Sequence, residues 1–556
     1  MSKNISKEKR EELLREIGEI REYLEKNTDE NAGRLLTYLA NLEKDVDGKK
    51  YGLVFEEHEE AVDVLCRDNV PILKEVEELK IENGGTQNFL IEGDNLASLK
   101  LLEKTHKGRI DLIYIDPPYN TKNKDFVYDD VFVGEEDEFR HSKWLSFMAN
   151  RLMIARKLLS KNGVIFISID DNELSTLHLL CDHVFGEKNF IGQFHWLKSK
   201  TPPNLSKKIK KQLEYVLCYE KNKDNIEYEG VQKSSKSDDP FTKPQNSIKQ
   251  LRFPAGSISV CIQDGIYKAG IYGTKAFPNT MLNDMIVANG KNKNDVIFQN
   301  KFIWTQDTLE KNIYEGVNIF IRAKSLVLSY KRQSYGKDIP SNLIDLTVGA
   351  DTTENASKKL VDLLGKKCFD YPKDIGLIKY LLSFKKFNDP IVLDFFAGSG
   401  TTGHAVMELN AEDGGNRKFI LCTNNENNIC REITYERVKR VIEKENYNAS
   451  LKYMKVDFIP INEQLYYEYA DKLLLHIKEL VELENGLDFN GNNKVAICLT
   501  DKELSAFASG VYEETTFKRV YVGHDVLLTP EIEDKLLKAN IRINIIPDYY
   551  YGELRG

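Results

Sequence analysis

Near-continuous apolar runs recur along this chain, each ended by acids, glycine or proline and followed by a helical stretch. "NFLIEGDN" is followed by "LASLKLLEKTHKG", and "IDLIYI" then runs into "DPPY". "HSKWLSFMANRLMIARKLLSKNG" carries an amphipathic stripe through Trp144, Met148, Leu152, Ala155 and Leu159, with Gly163 predicted as its stop, and leads to the strand "VIFISIDD". Strands that are apolar throughout are buried on both faces, and their alternation with helices is the pattern of a parallel sheet covered on both sides. The rhythm lapses between about 199 and 365, where prolines at 202, 203, 240, 244 and 254 and short runs such as "DVIFQNKFIWT" and "SLVLSY" predict an irregular, mostly β insertion. It resumes with "IGLIKYLLSF" as helix, "PIVLDFFAGSGTTGHAVMELN" as strand, loop and helix, "KFILCT" as strand and "TYERVKRVIEKE" as helix.

The outer parts of the chain follow other patterns. Leu13, Ile17, Ile20 and Leu24 form one helical stripe and Leu35, Leu36, Leu39 and Leu42 a second, with the turn-like "TDENAG" between them. Towards the other end, "EQLYYEYADKLLLHIKELVELENG" is predicted as one long helix. It leads into strands "KVAICLT", "RVYVGHD" and "IRINIIP" that alternate with helices, one capped by Thr529 with Pro530 at its first position. The expected organisation is 1–80 helical, 81–198 first half of the core, 199–365 insertion, 366–458 second half of the core, and 459–556 a small α/β domain.

Composition sets limits on function. The hydrophobic content is 41%, the charged content 30% and the net charge −9, which argues against a simple nucleic-acid coat protein. Local charge differs: Leu197 to Gly256 holds thirteen Lys/Arg against seven Asp/Glu, and includes "SKKIKKQLEYVLCYEKNK", a stretch able to meet a polyanion. The eight cysteines are scattered, without a CxxC pair, and read as reduced thiols. There is no run of about 18 apolar residues and no apolar signal core, so a cytoplasmic protein without a membrane partner is expected. His141, His195 and His404 show no ligand spacing, and no metal is expected.

Two stretches carry chemical information. In "DFFAGSGTTGHA", Gly398 and Gly400 lie between a strand and a helix, where the backbone can turn sharply and approach a ligand; the helix start near Thr401 offers unpaired N–H groups to an anion. Asp116, Pro117, Pro118 and Tyr119 end another apolar strand. In an open parallel sheet, loops at the carboxyl ends face one crevice whatever their order in the chain. An acid after the next strand would hold ribose hydroxyls, and "ILCTNNEN" offers Glu426 there, with Asn424 or Asn425 as alternatives.

These motifs, with "KKYGLVFEEH", "LIEGDNLASL", "DLIYIDPPYNT", "HSKWLSFMANRL", "GVIFISIDDNE", "RFPAGSI", "GKNKND", "FDYPKDIGLIKYL", "VLDFFAGSGTTGHAV" and "DGGNRKFIL", resemble the amino-methylating DNA methyltransferases of the β class. In that class DPPY precedes FxGxG, and the resemblance is to the modification (Mod) subunit of a type III restriction–modification system, over roughly residues 50–460. It implies a Rossmann-like methyltransferase sheet, S-adenosylmethionine as cofactor, and a target-recognition insertion at 199–365. It also implies duplex DNA as partner, a homodimer, and a restriction helicase–nuclease subunit that the chain would carry to its site. Phe396, Ala397, Gly398, Ser399, Gly400 and Thr401 would surround the methionine part of the cofactor, Asp94 and Asp394 would offer acceptors, Trp144 and Phe147 would line the adenosine pocket, and Glu426 would take the ribose. Lys373 of "YPKD", where members often read PKP, would join them.

The chemistry accounts for the acid and prolines at a strand end. An aromatic amine delocalises its lone pair, and two acceptors, the Asp116 carboxylate and the Pro117 carbonyl, would favour a pyramidal nitrogen. The prolines fix φ and remove N–H donors. Tyr119 would stack on an extruded base, with Trp196 and Tyr215 as candidates for its other side, and Lys207, Lys208, Lys210 and Lys211 as phosphate contacts. No Pro-Cys nucleophile is present for ring-carbon methylation. Asp before PPY favours the adenine 6-amino group; the cytosine 4-amino group stays open.

Overall fold

The computed structural model describes residues 5–26, 32–48, 55, 58–121, 127–128, 131–132, 139–201, 208–231, 238–273, 278–332, 337–461, 465–489, 492–511 and 515–552. It divides into two compact units, residues 1–226 with 341–556, and residues 227–340. The second unit is narrower than the insertion expected at 199–365.

The larger unit is built on a ten-stranded sheet. Its strands are β1 (Asn69–Glu75), β2 (Thr86–Glu92), β3 (Ile110–Ile115), β4 (Leu159–Ile169), β5 (Phe190–Leu197), β6 (Leu213–Glu220), β7 (Leu343–Ile344), β8 (Ile391–Asp394), β9 (Lys418–Thr423) and β10 (Ala449–Pro460), in the order β1-β10-β2-β9-β8-β3-β4-β6-β5-β7. The six from β10 to β4 run parallel. Leu90, Ile91, Leu112, Ile113, Leu393 and Leu421 are almost fully buried in this sheet, as the apolar runs predict for strands covered on both faces. On one side β6 pairs antiparallel with β4 and β5 with β6; on the other, β1 pairs antiparallel with β10.

Several elements depart from the sequence expectation. The helix Arg140–Leu158 ends before Gly163, which lies within β4; a Cβ there would meet the Ile110 carbonyl oxygen at 2.9 Å, so the position requires glycine for packing, not for stopping a helix. "LEYVLCYE", expected in the irregular insertion, forms β6 and extends the core sheet, and β1 lies inside the region expected to be helical. The predicted long helix is two, Tyr466–Leu474 and Ile477–Asn485, broken at His476 (φ −117°, ψ 16°), so that Tyr469 and Leu473 of one and Leu480 and Leu483 of the other all reach the core. The N-terminal helices Ile5–Lys26 and Ala32–Gly48 form as predicted, with Ile17 and Leu39 buried but Leu13 and Ile20 about half exposed (48% and 50%).

The C-terminal strands β11 (Val495–Cys498), β12 (Arg519–Gly523) and β13 (Arg542–Ile546) form a parallel three-stranded sheet. The helix Pro530–Lys538 is capped by the Thr529 hydroxyl, which accepts from the Ile532 N–H. In the second unit, four- and seven-stranded sheets enclose Phe241, Phe253, Phe298, Phe302 and Leu309, beside one helix, Gln306–Tyr314. Among the described residues no helix is long and apolar enough to cross a membrane.

The carboxyl end of β8 is held from within. One Asp394 carboxylate oxygen accepts the Phe396 N–H at 3.0 Å and the other the Thr402 hydroxyl at 2.5 Å. Burial pushes this carboxyl up to about 7, because the two donors only partly offset desolvation. Folding therefore favours its protonated form, and that contribution is complete below the usual carboxylate range and is lost as pH rises through about 7. The melting temperature of the wild type relative to Asp394→Asn is expected to fall steadily between about pH 4 and pH 8, as read by calorimetry; a pH-independent difference would contradict this. Leu393, with no exposed surface, is expected to cost about 2–5 kcal/mol in urea unfolding when replaced by alanine, through the cavity left in the central sheet.

Candidate active site

β8 lies beside β3, with Val392 opposite Leu112 and Leu393 opposite Ile113, and beside β9, with Leu393 opposite Ile420. Three carboxyl ends, followed by "DPPY", "FAGSG" and "NNE", thus open at one edge of the sheet. A cavity of about 470 Å³ lies there, lined by Asp116 and Pro118 from the first turn, Phe396 and Gly398 from the second, and Asn424 and Glu426 from the third. Asp94, Phe147 and Arg151 complete much of its wall.

The glycine turn needs its glycines. Gly398 and Gly400 have φ of +48° and +75°, in the left-handed region. The Gly398 carbonyl accepts the Thr434 hydroxyl at 2.6 Å. Behind the turn, the buried Arg437 guanidinium donates to the hydroxyls of Ser399 (3.1 Å) and Thr401 (2.8 Å). These two hydroxyls, expected against the cofactor, are oriented by Arg437. Asp394, expected as an acceptor for the cofactor, accepts from the Phe396 N–H and the Thr402 hydroxyl of its own turn.

The opposite wall is built on the helix Asn95–His106. Asp94 caps it, one carboxylate oxygen accepting from the N–H groups of Leu96 (2.7 Å) and Ala97 (3.1 Å). Arg151 reaches from the helix Arg140–Leu158 and donates to both Glu60 oxygens (2.6 and 3.0 Å) and to the Asn95 side chain (2.5 Å). Phe147 and Phe396 approach across the cavity, ring centroids 5.8 Å apart. Trp144, expected along the adenosine, is fully buried, and its indole N–H donates to the Pro118 carbonyl at 2.7 Å; it supports the DPPY turn from beneath.

Around Asp116 lies a charged cluster. The buried Lys373 ammonium, expected near the cofactor, donates to Asp116 Oδ2 at 2.8 Å and pairs with Glu214 Oε2 at 3.3 Å. The Tyr119 hydroxyl is 2.8 Å from Asp116 Oδ1 and 3.2 Å from Glu214 Oε2. Lys198 donates to the other Glu214 oxygen at 2.9 Å. Burial raises the Glu214 carboxyl, but Lys373 and Lys198 outweigh it and hold the group below the usual carboxylate range. Burial likewise lowers Lys373, and Asp116 and Glu214 outweigh it in the other direction. The Lys373 ammonium also sits 5.0 Å from the centroid of the Tyr119 ring and 5.9 Å from that of Trp196.

The candidate DNA contacts are placed less uniformly. Trp196, expected against a flipped base, is buried with its indole N–H on the Asp351 carbonyl at 2.9 Å. Tyr215 donates to Asp171 at 2.7 Å and meets His195 edge-on, ring centroids 5.4 Å apart. Lys208, Lys210 and Lys211 are exposed, the last 3.1 Å from Asp171; Lys207 lies outside the described residues. Glu214, Lys198, Glu60, Arg151 and Arg437 were not legible as site residues. A signal existed for Glu214, a carboxylate in the otherwise apolar start of "LEYVLC", where an acid needs a buried partner.

Residues 110–436 match the DNA methylase family N6_N4_Mtase. The StyLTI Mod subunit, a type III restriction-modification enzyme of Salmonella typhimurium, is 32% identical over 408 residues, covering 65% of this chain and 58% of that protein. The EcoPI Mod subunit of Escherichia phage P1, also type III, is 32% identical over 378 residues, covering 61% of this chain and 58% of its own. The type II methyltransferase M.KpnI of Klebsiella pneumoniae is 32% identical over 357 residues, covering 61% and 81%. This chain therefore spans 58% of the length of those two type III relatives. The family match contains the DPPY turn, Glu214, Lys373 and the glycine turn, and the chain belongs to the N6_N4_Mtase family of DNA methylases.

Proposed function

We propose that this protein transfers a methyl group from S-adenosylmethionine to the 6-amino group of adenine in duplex DNA. The observation that supports the reading most is the shared cavity: Asp116 and Pro118 line it on one side, Phe396 and Gly398 on the other. Its volume of about 470 Å³ lies within the range of small-molecule sites. The donor set suits a nucleoside carrying an amino acid. Glu426 offers a carboxylate for ribose hydroxyls, the Phe147 and Phe396 rings offer flat apolar surface for a purine, and the second oxygen of Asp94, 3.7 Å from the Arg151 guanidinium, faces the same cavity.

When bound, the cofactor supplies a methyl group already activated on a sulfonium. The protein's contribution is to position the weak nucleophile. The Asp116 carboxylate and Pro117 carbonyl accept hydrogen bonds from the two amine hydrogens, leaving the nitrogen lone pair directed into the cavity, and the nitrogen, once methylated, releases one of those protons to solvent. The Tyr119 ring carries the base. This is positioning with fixed electrostatics rather than proton relay.

The unit 227–340, with the basic segment leading to it, would read the DNA sequence. The type III Mod relatives support a role as modification subunit of a restriction–modification system; within the same proposal, the protein works as a homodimer in the cytoplasm with a restriction helicase–nuclease. Co-purification from cells expressing both genes tests that assembly.

The catalytic reading is tested with tritiated S-adenosylmethionine and unmethylated genomic DNA, followed by mass spectrometry of the nucleosides. N6-methyladenine is expected from the wild type. Asp116→Ala is expected to lose about 100-fold or more in rate while cofactor and DNA affinities stay within about twofold. N4-methylcytosine as product would transfer the reading to cytosine, and unmodified DNA would end it.

A further inference from the structure

Both donors that occupy Asp116 have a second acceptor, and it is the same one. Lys373 bridges Asp116 Oδ2 (2.8 Å) and Glu214 Oε2 (3.3 Å), and the Tyr119 hydroxyl spans Asp116 Oδ1 (2.8 Å) and that same Glu214 oxygen (3.2 Å). As it stands, each oxygen of Asp116 is engaged by a donor of the protein. An amine that is to give its hydrogens to this carboxylate competes with them. Glu214 is buried and anchored through its other oxygen by Lys198 at 2.9 Å, so it stays fixed while the donors redistribute. Its geometry requires sub-ångström adjustments only, because both donors already lie within 3.3 Å of it.

We propose that Glu214 is a positioning residue: when the target amine engages Asp116, the Lys373 ammonium and the Tyr119 hydroxyl shift onto Glu214, which releases Asp116 without leaving a buried cation unpaired. This deepens the proposed function, since it concerns the same reaction. Glu214 does not touch the substrate; it sets how readily Asp116 accepts it. The cluster keeps equal numbers of carboxylates and ammoniums, Asp116 and Glu214 with Lys373 and Lys198, so the rearrangement moves hydrogen bonds and no net charge.

The test uses the full-length protein, tritiated S-adenosylmethionine and unmethylated genomic DNA. In Glu214→Gln, Lys373 has only Asp116 as a carboxylate partner, and kcat is expected to fall by roughly 100-fold with KM for the cofactor within about twofold. The double variant Glu214→Gln with Lys373→Gln removes the competing cation and is expected to be faster than Glu214→Gln alone, a reversal that a merely structural role would not give. Glu214→Asp keeps the charge but steps it back by one methylene; a loss of about tenfold in kcat at unchanged KM is expected, and this variant carries the test if the glutamine variant does not fold. Wild-type kcat in Glu214→Gln or Glu214→Asp, or a double variant no faster than Glu214→Gln, overturns the proposal. A wild type that methylates no DNA rejects the underlying function instead, so the two failures are separable.

Discussion

Parallel pairing of β3 with β8 is the constraint on which the site depends. Leu112 and Ile113 meet Val392 and Leu393, residues far apart in the chain, because both strands are apolar on both faces and are buried fully only at the centre of a covered sheet. The pairing leaves Asp116 and Phe396 just beyond adjacent strand ends. Polar backbone there faces a cavity rather than the core, which is how a parallel sheet generates a binding crevice. The insertion between the strands does not disturb this geometry, since residues 227–340 form a compact unit with their own aromatic core.

Electrostatics then divides the cavity into two walls. On one, Arg151 pairs with Glu60, orients Asn95 and lies 3.7 Å from the second oxygen of Asp94, the capped helix start on the cavity surface. On the other, Asp116 and Glu214 share Lys373. Burial alone would raise the affinity of the Glu214 carboxylate for protons. The paired lysines reverse that effect for Glu214, holding it ionised. A buried ion cluster contributes little net stability compared with apolar packing, but its internal rearrangements cost little when every charge keeps a partner. That property suits a carboxylate that has to exchange protein donors for substrate ones.

The glycine turn adds a second kind of order. Gly398 and Gly400 supply left-handed backbone, Asp394 ties the strand end to Phe396 and Thr402, and Arg437 holds Ser399 and Thr401 from behind. With the Thr434 hydroxyl on the Gly398 carbonyl, five separate polar interactions therefore converge on one loop. A rigid loop at a ligand site lowers the ordering cost of binding, which is consistent with the family to which the chain belongs.

The amino-acid sequence by itself determined the class of sheet, the two turns and their position at strand ends, because apolar periodicity, proline and glycine act locally and leave a readable pattern. It also marked the helical hairpin at the start and the parallel α/β unit at the end, including the Thr529–Pro530 helix start. It did not determine which polar side chains meet. Trp144, buried, meets the Pro118 carbonyl; Asp394 ties its own loop; Lys373 and Glu214, far apart in the chain, are partners. "LEYVLCYE" was assigned to the insertion because its pattern alone does not say which sheet it joins, and only pairing with β4 placed it in the core. Such contacts arise from strand order and from the need to pair each buried charge, and both are satisfied only once the chain has closed on itself in three dimensions.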